Sequence, residues 1–159
     1  MTRRSLRVAK YVILWFRFLF GAHLIYSAMR HFLGHEVLSN VTNPLAGPFV
    51  RLMADMGMYQ MVKSIELVTG LLIFFGLFVP LALIVEFPIT VGIFLLNTFI
   101  VAEPRQLYSG PQELFLNTIL IVFYARYYLP LLNARAAPRP LWTAQRSDLW
   151  TPDISNGRG

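Results

Sequence analysis

This sequence predicts an all-α, polytopic membrane protein: an up-down bundle of four transmembrane helices with a short outer interfacial helix. Three observations predict it. Hydrophobic residues fill 56% of the 159 positions and charged residues only 14%, against about 45–50% and about 25% in soluble domains. The charges gather at the two ends and in short breaks between apolar runs. Four of those runs approach the ~20 residues that a helix needs to cross a ~30 Å hydrocarbon core.

The absence of cysteine rules out a disulfide, a thiolate metal site and thiol redox chemistry, and with them a quinone reductase of the vitamin K type, which works through a cysteine pair. Any redox role must use a borrowed cofactor that is not covalently bound, with a quinone as the candidate. The formal net charge of +6 does not point to nucleic acid. The basic residues flank apolar spans instead of forming a patch, as the positive-inside effect requires.

The first span covers residues 11–32. Arg3, Arg4, Arg7 and Lys10 precede it, but the run is too long for a signal peptide, contains Arg17 and His23, and lacks a small-residue cleavage site, so it reads as a retained signal anchor. Pro44, Gly47 and Pro48 then break the chain, and residues 49–61 read as an amphipathic helix on the outer interface. The sequon Asn40-Val41-Thr42 lies on this side and has meaning only in a source that glycosylates. The second span (62–79) and third (81–102) meet at Pro80, which forces an antiparallel hairpin. A fourth span is expected at 113–132. It completes a membrane domain at 1–132, and the tail at 133–159, with several Arg and Pro plus Trp142 and Trp150, reads as an interfacial or partner-binding strap. Arg135, Arg139, Arg146 and Arg158 in that tail balance the basic N-terminus, whereas the opposite side holds mainly Arg51 and Arg105. Both termini are therefore expected in the cytoplasm, and the protein in a bacterial inner membrane.

Polar residues at membrane depth are costly unless they face a partner or a wet cavity, so they carry the functional information. They are Arg17, His23 and Ser27; Lys63 and Glu66; Glu86, Thr90 and Asn97; and Glu113, Asn117 and Tyr124. At 100° per residue, Glu86, Thr90, Ile93 and Asn97 form one stripe, Glu113, Asn117, Leu120 and Tyr124 a second, and Lys63, Glu66 and Gly70 a third, all expected to face the interior. A rise of 1.5 Å per residue puts Arg17 and Glu86 both about 8 Å from the cytoplasmic edge, as partners in a structural ion pair. It puts Glu66, Asn97 and Asn117 about 6 Å inside the outer edge, level with Ser27, which predicts a polar chamber opening outward. His23, near mid-bilayer, either relays a proton or bonds a quinone carbonyl, or is a satisfied interior residue.

Metal ligands are the remaining candidates. His23, His31 and His35 all lie on or just beyond the first span, which disfavours a haem held between facing helices of one chain. Met53, Met56, Met58 and Met61 form a thioether cluster of the kind that selects copper(I), although methionine also serves as an adaptable gap filler in an interfacial helix. No other metal site is expected.

The first span carries Arg17, Gly21, His23, Ser27 and Arg30, and the second carries Lys63, Glu66, Thr69, Gly70 and Gly76 before Pro80. An early Arg followed by a Glu-x-x-x-Gly-x-x-x-x-x-Gly run and a Pro turn resembles the DoxX and DoxX-like family of small four-helix membrane proteins. The resemblance covers residues 12–132, with Thr69-Gly70 where family members often have Gly-Gly. It implies a membrane subunit or partner of redox systems, the founding member being named as a subunit of a thiosulfate:quinone oxidoreductase. It implies no defined catalytic mechanism, and eukaryotic relatives that act as cargo receptors or assembly chaperones extend the scaffold to non-enzymatic roles. Arg17, Glu66, Gly70 and Gly76 are the positions that match the family pattern. The similarly sized glutathione and eicosanoid enzymes are set aside, because their Glu-Arg-x-x-x-Asn signature is absent.

The functional expectation is a membrane subunit of a quinone-linked redox complex, part of an oxidoreductase and not a stand-alone enzyme, with His23, Ser27, Glu66, Asn97 and Asn117 lining the chamber. Its partners are the lipid bilayer and other membrane or membrane-associated subunits. Two alternatives use the same residues differently: a non-enzymatic scaffold or assembly subunit that presents helix faces and the tail, and a small solute or proton pathway along the polar stripe.

Overall fold

A computed structural model of the chain describes residues 3–34 and 43–132. Five α-helices follow one another: α1 (Arg3–Phe32), α2 (Ala46–Asp55), α3 (Met58–Phe75), α4 (Val79–Leu95) and α5 (Pro104–Phe123). A π-helical turn, Leu96–Val101, continues α4. No β-strand occurs among the described residues. Met1–Tyr124 form one compact unit, and the chain from Ala125 a second, of which the described part is two short 3-10 turns.

Three helical stretches, Lys10–Phe32, Met58–Phe75 and Val79–Val101, are long and apolar enough to cross a membrane. Within the first unit α1 packs on α3, α3 on α4, α4 on α5, and α5 back on α1. Phe20 and Leu24 of α1, Ile73 of α3, Leu83 of α4, and Leu116 and Leu120 of α5 meet in the apolar core. The outside of this ring is equally apolar, with Trp15, Val68, Phe75, Leu81, Phe99 and Val122 exposed. Buried among the described residues are Lys63, Glu66, Thr69, Glu86, Thr90, Glu113 and Asn117. Apolar outside and polar within is the distribution expected of a chain whose solvent is lipid.

Element boundaries differ from the sequence expectation in three places. The helix expected at 113–132 occupies Pro104–Phe123 instead. Pro104 suits the first helical turn, where its missing N–H needs no partner, and Arg105, Gln106 and Ser109 after it border a cavity. Helix 49–61 is divided, because Gly57 adopts φ 76° between α2 and α3. The hairpin turn lies at residues 76–78, where Gly76 has φ 77° and Phe78 φ 46°, and Pro80 belongs to the first turn of α4. The tail at 133–159, His35 and the Asn40 sequon lie outside the described residues, as do the side chains of Arg3, Arg4 and Arg7.

Candidate functional site

Lys63 and Glu66 stand one turn apart on the inner face of α3, the spacing at which helical side chains meet. Lys63 Nζ donates to both carboxylate oxygens of Glu66, at 3.1 and 2.8 Å, and to Ser27 Oγ of α1 at 2.8 Å. All three ammonium protons thus have acceptors, the condition under which a buried charge pair is tolerated. Across the bundle His23 Nε2 of α1 lies 3.7 Å from Glu113 Oε2 of α5. This approach becomes an ion pair when the imidazole is protonated.

These groups border a cavity of about 650 Å³ that α2 also lines. His23, Ser27, Lys63, Glu66, Asn97 and Glu113 supply its polar wall. Phe49, Val50 and Met53 of α2, with Pro88, Ile89 and Ile93 of α4, supply the apolar one, and Arg30, Glu103 and Arg105 also border it. Gln106 and Ser109 in the polar first half of α5 reach the same space.

Asn97 lies in the π-helical turn, whose wider loop is closed by Ala102 N–H donating to Asn97 O at 3.0 Å. Such turns recur at functional sites because they shift the phase of the side chains. Asn43 holds this turn from the far side: its Nδ2 donates to Ile100 O at 2.6 Å while its Oδ1 accepts from the N–H groups of Leu45 and Ala46. The start of α2 is thereby tied to the π turn.

A second polar group lies outside the cavity lining. Asn117 Nδ2 of α5 donates to Thr90 Oγ1 at 3.0 Å, Thr90 Oγ1 bonds Glu86 O of α4 at 3.0 Å, and Thr69 Oγ1 of α3 is 2.5 Å from Glu86 Oε2. Three helices are joined in this way inside the apolar core.

The structure brings four of the expected chamber residues, His23, Ser27, Glu66 and Asn97, to one cavity. Asn117 does not join them, since its amide is committed to Thr90. Arg17 and Glu86 form no ion pair. Gly76, at the hairpin turn, lies against the Arg17 guanidinium, whereas Glu86 is seven residues into α4, about 10 Å further along the bundle at 1.5 Å per residue. Arg17 instead stacks near the Phe18 ring at 5.3 Å. Met53 borders the cavity while Met56, Met58 and Met61 are exposed, so the four thioethers share no common centre. No group of three or more His, Asp or Glu positioned for a metal occurs among the described residues.

Glu113 lies on an inward stripe expected from the sequence but has no role assigned there, and Thr69 is not expected as a hydrogen-bonding group. The signal for Glu113 was its position four residues before Asn117. For Thr69 it was the tendency of an interior threonine to bond back along its helix, here to Ile65 O at 2.8 Å. No family model, no curated protein and no solved structure matches this chain.

Proposed function

We propose that the chain is a DoxX-like integral membrane protein in which α5 completes a four-span bundle, and that its cavity takes the head group of a quinone as a membrane subunit of a redox complex. The observation that carries this reading is the 650 Å³ cavity with one polar wall and one apolar wall, within the ~300–1,000 Å³ of small-molecule sites. A quinone presents two carbonyl acceptors on a flat ring and an apolar tail. The side-chain amide of Asn97, which makes no hydrogen bond among the described residues, and the imidazole of His23 are donors open to it, beside Arg30, Arg105 and Gln106 on the same border. Lys63 has no proton to spare, so Lys63 and Glu66 fix the wall and His23 and Asn97 meet the ligand. Electron transfer then needs a redox partner, because the chain contributes no redox group of its own.

In this reading both termini are cytoplasmic and the cavity opens toward the opposite face of a bacterial inner membrane. Quinone titration of the full chain in mild detergent tests it. Removing one hydrogen bond costs about 0.5–1.5 kcal/mol, which converts to a loss of affinity of roughly twofold to twelvefold each for His23→Ala and Asn97→Ala. Equal affinity in wild type and both variants rules out the cavity as the quinone site.

A further inference from the structure

We propose that Glu86, with Thr69, Thr90 and Asn117, forms a buried proton-binding site in which the carboxyl of Glu86 holds an exchangeable proton. The site is separate from the cavity and stands whether or not a quinone binds there.

Hydrogen-bond counting leaves room for this assignment. Thr69 has one hydroxyl proton and three oxygens around it: Ile65 O at 2.8 Å, Glu66 O at 3.3 Å and Glu86 Oε2 at 2.5 Å. If Thr69 donates along its own helix to Ile65, the short contact to Glu86 needs a proton from the other side. A proton on Glu86 Oε2 supplies it, so that the contacts of Thr69 to Ile65 and to Glu86 each have one donor and one acceptor. Thr90 fits the same pattern, donating to Glu86 O while accepting from Asn117.

Charge leads to the same result. Glu86 is fully buried and its Oε1 has no hydrogen-bond partner. The charged groups within electrostatic reach are Glu66 and Lys63 of α3 and Glu113 of α5. Two are carboxylates, and the ammonium is already bonded to Glu66 and Ser27. On α1, Arg17 makes no ion pair with Glu86 and His23 is turned to Glu113. Glu86 is itself the only charged residue of α4. A carboxylate with no cation in an apolar interior neutralises by taking up a proton. Glu66, one turn from Thr69 on α3, borders the cavity, and exchange with solvent through that cavity runs past the Lys63–Glu66 pair.

Infrared difference spectroscopy of the full chain in lipid vesicles at neutral pH tests the site. The expected result is a protonated-carboxyl stretching band that shifts on transfer to heavy water and is lost in Glu86→Gln, an isosteric variant that keeps a donor to Thr69. Thr69→Val, which leaves the carboxyl and removes its acceptor, moves the band to higher frequency and identifies the residue even where Glu86→Gln does not fold. No such band in the wild-type protein overturns the proposal, as does a band that survives Glu86→Gln or disappears in Glu66→Gln or Glu113→Gln instead.

Discussion

Gly21 of α1 and Gly70 of α3 bring the two helix backbones into direct contact. A β-carbon on Gly21 would stand 2.8 Å from Phe74 N and 3.0 Å from Gly70 O, and one on Gly70 would stand 2.9 Å from Leu24 Cβ and 3.2 Å from Gly21 O. Among lipid-facing helices, where no hydrophobic force separates protein from solvent, such small-residue contacts supply much of the packing energy. The same approach brings Ser27 within reach of Lys63, so the polar wall of the cavity depends on it.

Replacing either glycine by alanine pushes backbone against backbone. Gly21→Ala and Gly70→Ala are each expected to destabilise the protein by about 1–3 kcal/mol, measured as a lower melting temperature in detergent. A β-carbon on Gly92 of α4 would meet nothing within 4 Å, and Gly92→Ala is expected to gain up to about 1 kcal/mol of helix propensity. A Gly70→Ala protein as stable as Gly92→Ala would contradict the contact.

The Lys63–Glu66 pair gives an asymmetric prediction. Lys63→Met leaves a fully buried carboxylate without its cation and is expected to cost about 3–5 kcal/mol. Adding Glu66→Gln in the same chain recovers most of that loss, because an apolar or neutral pair replaces both charges together. A double-mutant cycle with no coupling would mean the two side chains act independently.

Gly76 combines a left-handed backbone with a crowded neighbour. At φ 77° any β-carbon is strained, and one here would also stand 2.8 Å from Arg17 Nη1. Gly76→Ala is expected to lose about 1–2 kcal/mol, and most of the loss persists in an Arg17→Ala background because the backbone strain remains. Full rescue by Arg17→Ala would assign the cost to the side-chain clash alone.

Ala102 ends the π turn at φ 50° and ψ 25°, a conformation that costs a residue with a β-carbon about 1–2 kcal/mol. Ala102→Gly relieves that strain and gives back part of it through the freer unfolded chain. A net gain of up to about 1 kcal/mol is expected in thermal unfolding, and a loss would show that the turn does not depend on this residue's strain.

Which side of α3, α4 and α5 faces inward was legible from the sequence, because period alone determines it: Lys63, Glu66 and Gly70, Glu86 and Thr90, and Glu113 and Asn117 are all buried. How far one helix slides along another was not. The expected levels of Arg17 and Glu86 assumed that the first span enters the membrane near residue 12, and the contact of Arg17 with the hairpin turn at Gly76 displaces that level by about two turns. The π turn at 96–101 changes helical phase without any marker such as proline or glycine inside it. The polar stretch at 104–112, between the expected third and fourth spans, is part of α5, and Gln106 and Ser109 in it border the cavity. Local pattern determined the faces, and side-chain contacts between helices determined the register.

The most direct measurement is gentle purification of the protein from its native membrane in mild detergent, followed by mass spectrometry of the lipids and proteins that accompany it. A redox role for the cavity predicts bound quinone together with a flavin- or haem-containing subunit, and loss of the quinone from a His23→Ala, Asn97→Ala protein that still folds. Partners that carry no cofactor, with no quinone in the preparation, would contradict that role.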